Sequence, residues 1–118
     1  MNNITKIYFL ENSFDYNGSN LDSNKIGGSE KTLINISNSL GKDQNLIIKV
    51  FNNTSNKLII NNVQWLNINQ IDKSDIPDFV IAMSDANLFN KLSSNNNFLW
   101  SHSIQTIEKF IRKGQLIS

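Results

Sequence analysis

The chain has 118 residues, eleven Lys and Arg against ten Asp and Glu for a net charge of +1, one His and no Cys. A chain of this length holds one core that buries roughly two-thirds of the unfolded surface, so a single domain spanning residues 1–118 is expected. The absence of Cys excludes disulfides and thiolate metal sites, the single His excludes a multi-histidine centre, and the scattered cations lack the concentrated basic footprint that nucleic-acid binding needs.

Residues 4–10 (Ile-Thr-Lys-Ile-Tyr-Phe-Leu) form a β-branched and aromatic run with little alternation, which predicts a strand covered on both faces. The run is too short for a secretory signal core and is broken by Lys6, and nothing approaches the roughly eighteen apolar residues of a membrane span. A cytoplasmic protein without a transmembrane segment is the expectation. Residues 11–27, rich in Asn, Ser, Asp and Gly and holding an Asn17-Gly18 turn signal, read as a long loop of the kind that is functional or mobile.

Gly27-Gly28-Ser29-Glu30 then opens a helix whose apolar stripe is Leu33, Ile36 and Leu40, with Gly41 as its C′ residue. Residues 46–51 predict a second buried strand. Residues 58–60 and 63–68 predict one strand or a pair around Asn61-Asn62, and residues 78–83, preceded by Pro77, another. Ser84 or Asp85 caps a short helix bearing Leu88, Phe89 and Leu92, and Phe98-Leu99-Trp100 is a brief strand running into Ser101-His102-Ser103. A last helix carries Ile104, Ile107, Phe110 and Ile111 on one face. The Asn-rich stretches at 52–56 and 93–97 read as loops, and the abundance of Asn as compositional bias. Trp65 and Trp100 are expected in the core.

Strands alternating with helices at this spacing predict an α/β domain, a parallel sheet of about five strands with helices on both faces. Such sheets bind ligands at the carboxyl ends of their strands. Three places would share that rim. Gly27 and Gly28 head a helix, where free amides and a partial positive charge suit a phosphate, a carboxylate or a sugar hydroxyl; two glycines that merely shape the turn are the plainer account. His102 follows the last strand and is either a ligand contact or a structural imidazole. Asp85 is most simply a helix cap, with a substrate contact as the sharper alternative. The dinucleotide fingerprint Gly-x-Gly-x-x-Gly, the phosphate loop Gly-x-x-x-x-Gly-Lys-Ser/Thr and the hydrolase elbow Gly-x-Ser-x-Gly do not occur in the sequence.

Ile26-Gly27-Gly28-Ser29-Glu30 after a first strand and a long loop, Ile76-Pro77-Asp78-Phe79-Val80-Ile81 as the fourth strand, and Phe98-Leu99-Trp100-Ser101-His102-Ser103 as the fifth together resemble the N-terminal domain of family 4 type, GT-B-fold glycosyltransferases. Ile107-Glu108-Lys109-Phe110-Ile111-Arg112 adds to the likeness, which spans essentially the whole chain. It implies a Rossmann-like, acceptor-side half of a GT-B fold, acting with a nucleotide-sugar donor and a sugar or glycan acceptor. Transfer would retain anomeric configuration and need no metal or other cofactor. By the same likeness Gly27 and Gly28 would approach the donor diphosphate or the acceptor, and His102 would contact the sugar or acceptor hydroxyls; Ser29, Glu30, Asp85 and Ser103 are the further candidate substrate contacts on the rim. Many members place a histidine where this chain has Ser84-Asp85. The donor pocket of the family lies in a C-terminal domain that these residues do not contain, so they are expected to be inactive alone. A non-catalytic binding module of the same fold is the alternative.

Overall fold

The computed structural model describes residues 3–101. His102, Ser103 and the helix expected over 104–111 lie outside them. Six strands form one sheet: β1 (Thr5–Leu10), β2 (Leu46–Asn52), β3 (Leu58–Ile60), β4 (Val63–Asn67), β5 (Phe79–Met83) and β6 (Asn97–Trp100), in the order β3-β4-β2-β1-β5-β6. All neighbours are parallel except β3 and β4. The one α-helix among the described residues is α1 (Gly28–Gly41), between β1 and β2. Without the edge strand β3, the parallel order is that of the first five strands of a doubly wound Rossmann sheet.

The pair at 58–67 is a hairpin closed by Asn61 and Asn62, whose φ of 54° and 63° are both left-handed. A primed two-residue turn requires that of its central residues, and Asn tolerates it. The sheet thus gains an antiparallel edge beyond the expected five strands.

Strand residues alternate between two cores. On one side Phe9, Ile48, Val50, Val63, Trp65 and Met83 pack with Ile26, Leu33 and Ile34 of the segment leading into and through α1. On the other, Tyr8, Leu10, Phe51, Leu66, Val80, Ala82 and Leu99 pack with Ile68, Ala86, Leu88 and Leu92. The crossover from β1 to β2 therefore lies on the first face, and those from β4 to β5 and from β5 to β6 on the second. That split is what right-handed crossovers demand when the direction of strand addition reverses at β1.

Helices on both faces were expected, and α1 supplies one face only. Within the described residues the second face is roofed by 3-10 turns at Ile68–Gln70 and Ala86–Asn90 and by irregular chain. The local cause is turn chemistry. Asp72 accepts the Ser74 N–H at 2.9 Å and its carbonyl the Asp75 N–H at 3.0 Å, and Pro77 follows, so beyond the 3-10 turn at Ile68–Gln70 the β4–β5 crossover forms no α-helix.

The register of α1 also differs from expectation. Leu33, Ile34, Ser37 and Gly41 are its buried residues, while Ile36 and Leu40 flank the core as partly buried neighbours. Ser37 is satisfied by donating to the Ile34 carbonyl at 3.0 Å. Gly41 sits inside the last turn, with Lys42 as the cap. Its glycine character comes from crowding, because a Cβ there would lie 2.3 Å from the Asn61 carbonyl oxygen and 3.2 Å from Val63 Cγ2.

Candidate functional site

Packing Gly41 against Asn61 and Val63 fixes the carboxyl end of α1 at the start of β4. Fourteen residues of α-helix rise about 20 Å, so the first turn of α1 stands at the other edge, where the parallel strands end. That edge carries Glu11 after β1, Ser84-Asp85 after β5 and Ser101 after β6. Strand order reverses between β1 and β5, which makes this the crevice where open α/β sheets take ligands.

Gly27 is the N-cap of α1 in extended conformation, φ −91° and ψ −172°, and its carbonyl accepts the first helical bond from Lys31 N–H at 3.1 Å. Glu30 reaches back to accept the Gly27 N–H at 3.4 Å, a long bond that leaves its carboxylate loosely held. The N–H groups of Gly28, Ser29 and Glu30 have no carbonyl one turn earlier to bond to, as at every helix start. Gly27 and Gly28 are exposed, and Ser29 and Glu30 half-buried. A Cβ at Gly28 would meet nothing within 4 Å, and one at Gly27 only the Glu30 carboxylate at 3.7 and 3.8 Å.

Asp85 caps the 3-10 turn Ala86–Asn90, accepting the Asn87 N–H at 2.9 Å, which is the simpler of its two expected roles. Ser84 before it has a left-handed φ of 62° and donates its N–H to the Trp100 carbonyl at 2.7 Å, tying the ends of β5 and β6 together. The structure thus places Gly27–Glu30 and Asp85 at the same end of the sheet but over opposite faces, the first beside the core of Ile26 and Leu33 and the second beside that of Ala86 and Leu88. His102 and Ser103, beyond the described residues, are not placed.

A feature of this rim that the sequence reading passed over is Glu11. Its N–H extends the β1–β2 ladder by bonding the Phe51 carbonyl at 3.0 Å, and the residue is buried. Its Oε1 accepts Tyr16 OH at 2.6 Å and Ser13 Oγ at 3.0 Å. Burial, and then the Glu11 charge, push the Tyr16 phenol far above its ordinary range, so it serves only as a donor. The legible signal was an acidic residue directly after the buried end of a strand; the partner five residues on had none.

The loop after β1 is pinned rather than free over its first half. Asn52, wholly buried, donates from Nδ2 to the Tyr16 carbonyl at 2.9 Å and accepts the Thr54 N–H at 3.0 Å. Asn17 Nδ2 bonds Thr54 Oγ1 at 3.2 Å, Ser55 N–H bonds Asp15 at 2.9 Å, and Asn53 Nδ2 bonds Asn12 and the Ser13 carbonyl. The residues read as compositional bias thus join the 11–20 and 52–56 loops.

Depressions lined by none of these rim residues lie elsewhere on the molecule. One of about 500 Å³, lined by residues that include Lys73, Pro77, Asp78 and Ser94, sits where β5 and β6 begin. Its Ser94 and Asn96 side chains are already bonded to the Asp78 carbonyl. Among the described residues no group of three or more His, Cys, Asp or Glu could hold a metal ion, and no helix is long and apolar enough to cross a membrane. No known protein family, curated protein or solved structure matches the chain.

Proposed function

We propose that this chain supplies the acceptor side of a glycosyl-transfer site, with the rim formed by Gly27–Glu30 and Asp85 receiving a hydroxyl-rich sugar or glycan. The observation that carries the reading is a contrast among glycines. Gly18 and Gly41 are required by the protein's own packing, since a Cβ would fall 2.7 Å from Trp65 Nε1 and 2.3 Å from the Asn61 oxygen. Gly28 meets no such obstacle, and neither Gly27 nor Gly28 has a left-handed φ. Bare backbone at Gly28 leaves room for the close approach of something from outside, while Gly27 also serves as the N-cap of α1, a position that glycine favours.

The chemistry of the terminus selects the ligand class. Free amides at Gly28 and Ser29 donate to an oxygen, while the loosely held Glu30 carboxylate accepts from a hydroxyl. A sugar hydroxyl satisfies both; a diphosphate satisfies the amides but is repelled by Glu30 unless that side chain swings away. In this reading His102, which follows the last residues of β6 in sequence, faces the reacting sugar, and a second domain supplies the donor pocket. Retention of configuration without a metal follows from the family resemblance and belongs to the same proposal.

The test is amide chemical-shift mapping of the 118-residue chain titrated with a panel of glycans and nucleotide sugars. Shifts at Gly27, Gly28, Ser29 and Asp85, lost in Gly28→Val at unchanged circular dichroism, are expected. Shifts confined to the opposite edge, near Asn61 or Lys73, or an unaltered response in Gly28→Val, remove the assignment.

A further inference from the structure

We infer that Asn17-Gly18 is a spontaneous modification site held latent by the fold, a deamidation latch on the loop that leads from β1 to α1. Asn followed by Gly is the dipeptide most open to this chemistry, because glycine leaves the next amide unshielded, and it occurs once in the sequence. The Gly18 nitrogen, losing its proton to water or hydroxide, attacks Cγ of Asn17. A C–N bond forms and the side-chain amide leaves as ammonia. Water then opens the cyclic imide at either carbonyl, giving aspartate or isoaspartate.

Packing fixes both members of the labile pair. Asn17 caps the 3-10 turn Gly18–Asn20, with Oδ1 accepting Ser19 N–H at 2.9 Å and Ser19 Oγ at 2.6 Å, while its own N–H bonds Asn20 Oδ1 at 2.9 Å. Gly18 lies against the indole of Trp65, which a Cβ would strike at 2.7 Å. Neither residue can be exchanged without loss to the fold.

The same contacts withhold the reaction. Ring closure needs the carboxamide to turn toward the Gly18 nitrogen and water to reach that N–H. The two bonds to Ser19 and the bond from Nδ2 to Thr54 Oγ1 hold the carboxamide away, and Gly18 is buried. Reaction therefore proceeds from a locally opened state and follows its population. Once it has occurred, the Nδ2 donor to Thr54 is gone, a negative charge stands at a buried position, and isoaspartate lengthens the backbone within the cap. The loop does not re-close on its former partners.

The experiment is peptide mapping of the full chain incubated at mildly alkaline pH, native and in urea. In urea Asn17 should deamidate ahead of the other asparagines, and in the native protein at least about tenfold more slowly. Thr54→Val, which keeps the shape and removes the hydroxyl with its bonds to Asn17 Nδ2 and the Asn56 carbonyl, should speed the native reaction at least about fivefold, the response to one ordinary hydrogen bond, and leave the rate in urea unchanged. Equal native and urea rates for the wild type overturn the inference. So does an unaltered native rate in a folded Thr54→Val. Should that variant not fold, the wild-type comparison decides alone.

Discussion

A glycine is required where a side chain would collide or where the backbone turns left-handed, and it also suits a helix N-cap or the close approach of something outside. Gly41 is the first kind, and Gly28 fits neither of the first two. Gly41→Ala should therefore cost about 1–3 kcal/mol, since the new methyl meets a backbone oxygen that can retreat only by moving the β3–β4 turn. Gly28→Ala should be neutral or stabilise by up to about 1 kcal/mol, because alanine is the better helix former and has open space. Urea midpoints of the two variants at constant slope decide the matter. Similar losses in both would mean that Gly28 too serves the fold, and the strongest support for a ligand at the head of α1 would go. Asp85 follows the same logic from the opposite side: its bond to the Asn87 N–H accounts for it without any ligand.

At the scale of elements, what was legible were the runs. Ile7 to Leu10, Ile47 to Phe51 and Phe79 to Met83 are apolar enough to dictate buried strands, and Asn61-Asn62 carried its turn in its residue types. The head of α1 was equally visible, since Gly-Gly-Ser-Glu before an apolar run reads as a start. The hydrophobic pattern could not show that Ser37 and Gly41 would be the residues pressed closest to the sheet, because small residues carry no apolar signal. Nor could the general alternation of strands with helices show that the β4–β5 crossover carries no α-helix, when the deciding contacts are Asp72 to Ser74 and the stop at Pro77. The loop after β1 shows the same limit. Its asparagines find partners in a loop more than thirty positions away, and no local reading reaches them. Asn52 is the centre of that joint. Asn52→Ala orphans the Tyr16 carbonyl and the Thr54 N–H together, for an expected loss of about 2–4 kcal/mol. Hydrogen exchange at Tyr16 to Ser19 should accelerate more than at Phe9 or Val50. Uniform acceleration across the sheet would show that the joint belongs to the global fold and is not a local fastening.

For the molecule as a whole, both faces of the sheet carry an apolar core, and the second adds an ionic fastening. Apolar packing of α1 covers one. On the other, where the β4–β5 crossover carries no α-helix, Asp75 fastens the crossover to the strands beneath. Its Oδ1 lies 3.0 Å from Lys6 Nζ, and its Oδ2 lies 3.0 Å from Lys49 Nζ and 2.7 Å from Tyr8 OH, with Lys49 also 5.0 Å over the Tyr8 ring. Partial burial alone would raise the Asp75 carboxyl; the bonds from Tyr8, Lys49 and Lys6 outweigh it and hold the group at about 2. Burial and then the Asp75 bond push the Tyr8 phenol well up, so it remains a donor throughout the working range. A carboxyl whose folded value is depressed lends stability that is complete above the unfolded value of about 4 and disappears as pH falls toward about 2. Solvent screening of the partly exposed lysines keeps the amount to at most about 2 kcal/mol. Asp75→Asn should accordingly unfold more easily than the wild type at pH 7, and the gap in urea midpoint should narrow as the pH drops below about 4. A gap that stays constant from neutral to strongly acid solution would mean that Asp75 holds the crossover by shape and neutral hydrogen bonds alone. The second face would then depend on its apolar contacts, Leu88 and Leu92 chief among them, as the first depends on Leu33 and Ile34.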